Sequence, residues 1–284
     1  MSGMLGKFTV LTEDLDHPED LVWDPASGRI YAGGEAGQIY AVTLDGDVEQ
    51  VADSGGGILG LAVDAAGTIY ACDEGRAEVL RVDPRSGAVE VYSAGSAGRA
   101  MIEPNYCAFD ASGSLYVTDS SDWEEQNGVI YRIAPGGETV VWTDALRRYP
   151  NGCCFGADGR WLYVVESSLP GIWRVPVGDD GAAGAPQLVC ALPAATVPDG
   201  IAFDDKGALY VACYRPDRVY RLGPDGALET VADDPLGLKL NTPTNVAFVG
   251  PALDRLAIAN VGEWHILVGD IGVRGAPLVY PRLR

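Results

Sequence analysis

Residues 198–211 read PDGIAFDDKGALYV: an acid between proline and glycine, an apolar run, a polar DDKG turn and a second apolar run. Two short strands joined by a turn account for that pattern. The second run returns along the chain as RIYAGG (29–34), TIYACD (68–73), SLYVTD (114–119), WLYVVES (161–167), ALYVAC (208–213) and RLAIAN (255–260). Its marker positions, Tyr31, Tyr70, Tyr116, Tyr163, Tyr210 and Ala257, are separated by 39, 46, 47, 47 and 47 residues. The chain is a sixfold repeat.

Each copy goes on through a third apolar run (QIYAV, EVLRV, VIYRI, GIWRV, RVYRL, WHILV) and a fourth (VEQVA, AVEVY, TVVWT, QLVCA, LETVA, PLVYP), alternating at period two. No segment carries a helical period. Four short strands per copy, six copies of forty-odd residues, define an all-β, six-bladed β-propeller of four antiparallel strands per blade around a central channel. KFTVLT near the N-terminus lies outside the copies and is expected to add a strand that closes the last blade. The expectation is one domain over residues 1–284.

With 47% hydrophobic and 21% charged residues, the chain has material for a full core. Forty acidic residues against 20 basic give a net charge of −20, which disfavours nucleic acid and anionic membranes and leaves small molecules and metal cations as partners. No run reaches membrane-spanning length, and the opening residues lack an apolar leader core. The six cysteines show no CxxC spacing and read as reduced thiols. A cytoplasmic protein, monomeric or weakly self-associating, is expected.

Aligned on the apolar residue that ends each first strand (Trp23, Val63, Phe109, Phe155, Phe203, Phe248), the residues four places earlier are Glu19, Leu59, Asn105, Asn151, Asp199 and Thr244. The first strand of a propeller blade is innermost, so these positions ring one end of the channel. Four of the six are strong oxygen donors. Pro150-Asn151-Gly152 and Pro198-Asp199-Gly200 also read as ordinary turns, a reading that does not extend to Glu19 or Asn105. Two carboxylates converging at ~4 Å repel by roughly 1–4 kcal/mol unless a cation lies between them. Two carboxylates with two amide oxygens suit a hard divalent ion, calcium first, with magnesium or manganese as alternatives. Only His17 and His265 are present, which excludes a histidine-rich zinc site.

PEDLVWDPASGRIY, EPNYCAFDASGSLYVTD, YPNGCCFGADGRWLYVVES, VPDGIAFDDKGALYVA and PTNVAFVGPALDRLAIANVGEWH together span nearly the whole chain, and with them the sequence resembles the SMP-30/gluconolactonase/LRE-like family of six-bladed propellers. The resemblance implies that the family's metal-binding glutamate, two asparagines and aspartate correspond to Glu19, Asn105, Asn151 and Asp199. It also implies hydrolysis of a lactone or related ester, the cation polarising the carbonyl and Asp199 serving as base towards water or as nucleophile. Many sugar-lactonase members carry an arginine two residues before the first asparagine. Here that place holds Glu103, which disfavours anionic or oxygen-crowded sugar ligands.

Further substrate contacts are expected from Tyr106 beside Asn105, from Trp123 and Glu124 in the long polar loop DSSDWEEQNG (119–128), and from His17, two residues before Glu19. GGGILG (55–60) fits GxGxxG but leads into a strand, not a helix, and no GxSxG elbow is present. The same metal platform could serve phosphotriester hydrolysis or a biosynthetic cyclisation or rearrangement, and a propeller can also be a non-catalytic binding module.

Overall fold

The computed structural model describes residues 3–283 and forms six four-stranded antiparallel sheets. The innermost strands, Leu21–Asp24, Ile58–Val63, Pro104–Phe109, Pro150–Phe155, Val197–Phe203 and Pro243–Val249, pack side by side in a closed ring. Each runs from the end where the aligned oxygen donors stand, here called the upper mouth, towards the lower. Antiparallel pairing then returns the second-to-third-strand loops, and the connections between blades, to the upper mouth.

The recurrence of tyrosine and phenylalanine has a packing cause. The second-strand tyrosine of one blade meets the inner-strand phenylalanine of the next edge-on: Tyr70 on Phe109, Tyr116 on Phe155, Tyr163 on Phe203 and Tyr210 on Phe248, with centroids 4.9–5.4 Å apart. Such pairs add about 0.5–1.5 kcal/mol each beyond the area they bury. At the other two interfaces the volumes compensate, Tyr31 against the smaller Val63 and Ala257 against the larger Trp23, all four buried. The core thus lies between blades, and the repeat length is set by what each blade offers its neighbour.

In the last blade Phe8–Thr12 is the outermost strand, with Phe8 opposite Gly269 and fully buried. N-terminal closure holds, whereas PLVYP (277–281) is not a fourth strand. The edge it would need, that of His265–Gly269, is already taken by Phe8–Thr12. The C-terminal tail instead crosses the lower mouth, held by Ala276 N–H to Phe203 O, Tyr280 Oη to Trp23 O and Ala65 N–H to Pro281 O, each 2.9 Å. Between the tail and the upper ring lies a largely apolar cavity of about 440 Å³, lined by all six inner strands. A small hairpin, Gly95–Ser96 with Arg99–Ala100, sits in the connection to the third blade and has no sequence forecast. The six cysteines are unpaired, five of them buried. No helix among the described residues is long and apolar enough to cross a membrane.

Candidate metal centre

Asn151 and Asp199 lie inside inner strands, so Pro-Asn-Gly and Pro-Asp-Gly are extended chain and not turns. The glycines answer to crowding. A Cβ on Gly152 would fall 2.2 Å from the Asp199 carbonyl oxygen, and one on Gly200 would fall 2.5 Å from Asn245 Nδ2. Only a residue without a side chain lets neighbouring inner strands close to this spacing. That spacing draws the upper mouth tight and brings residues from distant repeats together.

Against the larger effect of burial, Asn151 in the neighbouring inner strand lowers the Asp199 carboxyl. Thr244 Oγ1 donates to the Glu19 carbonyl oxygen at 2.7 Å, linking the last blade to the first. Asn105 is buried in the same ring. Burial pushes Asp199 well above the usual carboxylate range, and the charges of Glu19 and Asp20 push it further. Burial likewise raises Glu19, followed by the charges of Glu74 and Asp20. Asn151 is 4% exposed, and its Oδ1 has no hydrogen-bond partner. Buried carbonyl oxygens are rarely left orphaned. Two buried carboxylates in one another's field, an unpartnered amide oxygen and a second buried asparagine together fit a hard divalent cation.

Asp20, directly after Glu19, is buried and raised to about 7, chiefly by burial. It accepts from its neighbour's backbone, Leu21 N–H, at 2.7 Å and from Leu61 N–H at 2.5 Å, joining the first two blades below the ring. Tyr106 is also below the ring, its Oη accepting from Asn245 Nδ2 at 2.7 Å, so it forms the floor of the site and not its rim. Glu103 stands at the mouth and accepts a hydrogen bond from Tyr149 Oη. Trp123 lies edge-on to Tyr149, centroids 4.8 Å apart, while the Glu124 side chain is exposed in the same loop. His17 Nδ1 lies 2.7 Å from Asp16 Oδ1 and 3.0 Å from Glu35 Oε2, and its ring packs on Trp264 at 4.3 Å.

Sequence reasoning passed over Asp20, Tyr149, Asn245 and Glu74, though the repeat carried a signal for two of them. Tyr149 occupies the position of Glu103 and His17, two before the ring residue, and Glu74 the position of Glu35, four after the marker tyrosine. Three residues at the two-before position, His17, Tyr149 and Thr242, have left-handed backbones with φ of 40°, 60° and 52°. Non-glycine residues held there cost on the order of 1 kcal/mol or more each, and such strain concentrates at functional sites.

The SMP-30/Gluconolactonase/LRE-like region matches residues 17–261, and the chain belongs to that family. It is 30% identical over 190 residues to the gluconolactonase of Zymomonas mobilis, an alignment covering 59% of this chain but only 51% of the relative. To diisopropyl-fluorophosphatase from Loligo vulgaris it is 26% identical, covering 85% of this chain and 88% of that one. A calcium-binding protein, regucalcin, from Agrobacterium tumefaciens shares the fold at a TM-score of 0.79 and 21% identity, over 97% of this chain and 96% of that structure. The chain thus spans about half the length of its gluconolactonase relative.

Proposed function

We propose that the protein is a divalent-cation-dependent lactonase that opens a cyclic ester at its upper mouth, with calcium as the working ion and magnesium or manganese as alternatives. The observation that carries the reading is the Asn151 oxygen, buried without a partner in the same ring as the Glu19 and Asp199 carboxylates. Family membership and the gluconolactonase relative support lactone chemistry, and the Agrobacterium fold neighbour supports calcium.

Glu19, Asn105, Asn151 and Asp199 would hold the cation, which when bound supplies a Lewis acid for the substrate's carbonyl. Asp199 orients a water and takes its proton as the water oxygen bonds to the carbonyl carbon. The ring C–O bond then breaks, and the proton passes to the departing alkoxide, giving a hydroxy acid. Tyr106 and Asn245 close the floor, so substrate enters from the mouth. We further place the protein in the cytoplasm as a monomer or weak oligomer acting on small molecules, in keeping with its unpaired thiols and acidic surface.

Phosphotriesters are the second substrate class to test, because the Loligo relative aligns over most of both chains. The assay compares chelator-stripped and calcium-restored protein on a lactone and phosphotriester panel. Lactone hydrolysis is expected to vanish in chelator and return with calcium, with Asp199→Ala lowering it about 10²–10⁴-fold at saturating calcium. Hydrolysis that persists in chelator contradicts the reading.

A further inference from the structure

The upper mouth is acidic on one side. Glu35 and Glu74 come from equivalent loops of the first two blades, and Glu103 from the lead into the third inner strand. Glu74 is packed over Gly57, where a Cβ would lie 3.3 Å from its Cγ and Oε1 and 3.1 Å from the Glu35 carbonyl oxygen. Its charge acts on Glu19, on Glu103 and on Tyr149, so it is near both the ring and the Glu103 side of the mouth. No basic side chain is among the groups acting on Glu19, Glu74 or Glu103, and neither Glu74 nor Glu103 is in an ion pair among the described residues. The basic groups in these loops are already engaged, His17 between Asp16 and Glu35 and Arg76 with Glu78.

Beside Glu103 the wall is aromatic. Tyr149 donates to Glu103 and carries Trp123 against it, and Trp123 is exposed to solvent. Carboxylates flanked by an open indole are the means by which proteins hold alkylammonium groups. The unpartnered Asn151 Oδ1 marks the space beneath as a ligand site independently of the acids. A divalent ion would offset Glu19 and Asp199 and leave Glu74 and Glu103 without a cationic partner among the described residues.

We propose that the mouth selects a lactone bearing a positively charged amino or alkylammonium group, with Glu74 and Glu103 as its specificity residues and Trp123 as the ring that covers the charge. This rests on the lactonase reading and names the substrate class for it. An anionic lactone meets only acceptors and like charge, while a neutral one forgoes the attraction.

The test is a matched set of γ-butyrolactones carrying a trimethylammonium group, a tert-butyl group of the same shape, or a carboxylate, assayed on calcium-loaded protein. The cationic lactone is expected to exceed the tert-butyl one in kcat/KM by about tenfold or more at low salt, with the advantage shrinking as ionic strength rises. Glu74→Gln and Glu103→Gln are each expected to cut the cation-to-neutral ratio about threefold or more. Glu90→Gln, on an outer strand, is expected to leave the ratio unchanged. Equal rates for the cationic and tert-butyl lactones, or faster turnover of the carboxylate, overturn the proposal. If no lactone is hydrolysed, the lactonase reading fails instead. Calorimetric binding of the intact cationic and tert-butyl lactones then decides the charge preference, and equal affinities overturn it.

Discussion

At the scale of single residues, the site is defined by groups that the protein alone does not satisfy. Burial and neighbouring charge hold Asp199 and Glu19 above their ordinary values, so the metal-free folded protein keeps protons that the unfolded chain has released. Stability from a carboxyl raised in this way is fully present below its ordinary range and is lost as pH rises through the raised value. In chelator, the melting temperature is therefore expected to fall between pH 4.5 and about 8, the interval over which burial carries Glu19. Asp199→Asn should flatten that fall relative to wild type. Excess calcium should offset it, by about 2.7 kcal/mol at a hundredfold excess over Kd. A melting temperature that climbs across this interval in chelator, with no difference in the variant, contradicts the convergence of these carboxylates.

At the scale of elements, the crossing of inner strands makes the site. Gly152→Ala puts a methyl 2.2 Å from the Asp199 carbonyl oxygen and must push the fourth and fifth inner strands apart. The expected cost is about 1–3 kcal/mol in chemical denaturation, with weakened calcium binding measured on the same protein. Unchanged calcium affinity would show that the strand spacing does not set the site. These glycines also mark where sequence reading stopped. Pro-Asn-Gly and Pro-Asp-Gly have the composition of turns, and only the approach of another repeat's backbone, a contact between distant segments, shows why glycine is required. The ring residues themselves were legible, because equivalent positions in a repeat are equivalent positions around an axis. Tyr106, expected as a substrate contact from its place beside Asn105, is tied by its Oη to Asn245, a contact between distant repeats that its sequence neighbours do not announce. Glu74 went unnoticed because its loop is six-fold repeated in place but not in residue type, and its meaning comes from the charges across the mouth.

At the scale of the whole molecule, the two chain ends do different work. The N-terminal strand completes the last blade, and the tail crosses the lower mouth, opposite the end that carries the oxygen ring. KFTVLT announced its role by lying outside the six copies. PLVYP, equally strand-like in composition, could not reveal that its edge was taken. Deleting residues 3–12 leaves His265–Gly269 as an unpaired edge and uncovers the place of Phe8. The expected result is loss of the cooperative melt and concentration-dependent association by light scattering, as unpaired edges recruit other chains. A truncated protein that melts cooperatively as a monomer would show that ring closure does not depend on that strand.

The central claim, that Glu19, Asn105, Asn151 and Asp199 together hold one divalent cation, is tested most directly by calorimetric titration of calcium into chelator-stripped protein. The account predicts binding of about one ion per chain in wild type, weakened at least tenfold in Asn151→Ala and in Asp199→Ala while both variants keep the wild-type fold by circular dichroism. No binding in wild type, or binding left intact when both side chains are removed, would contradict it.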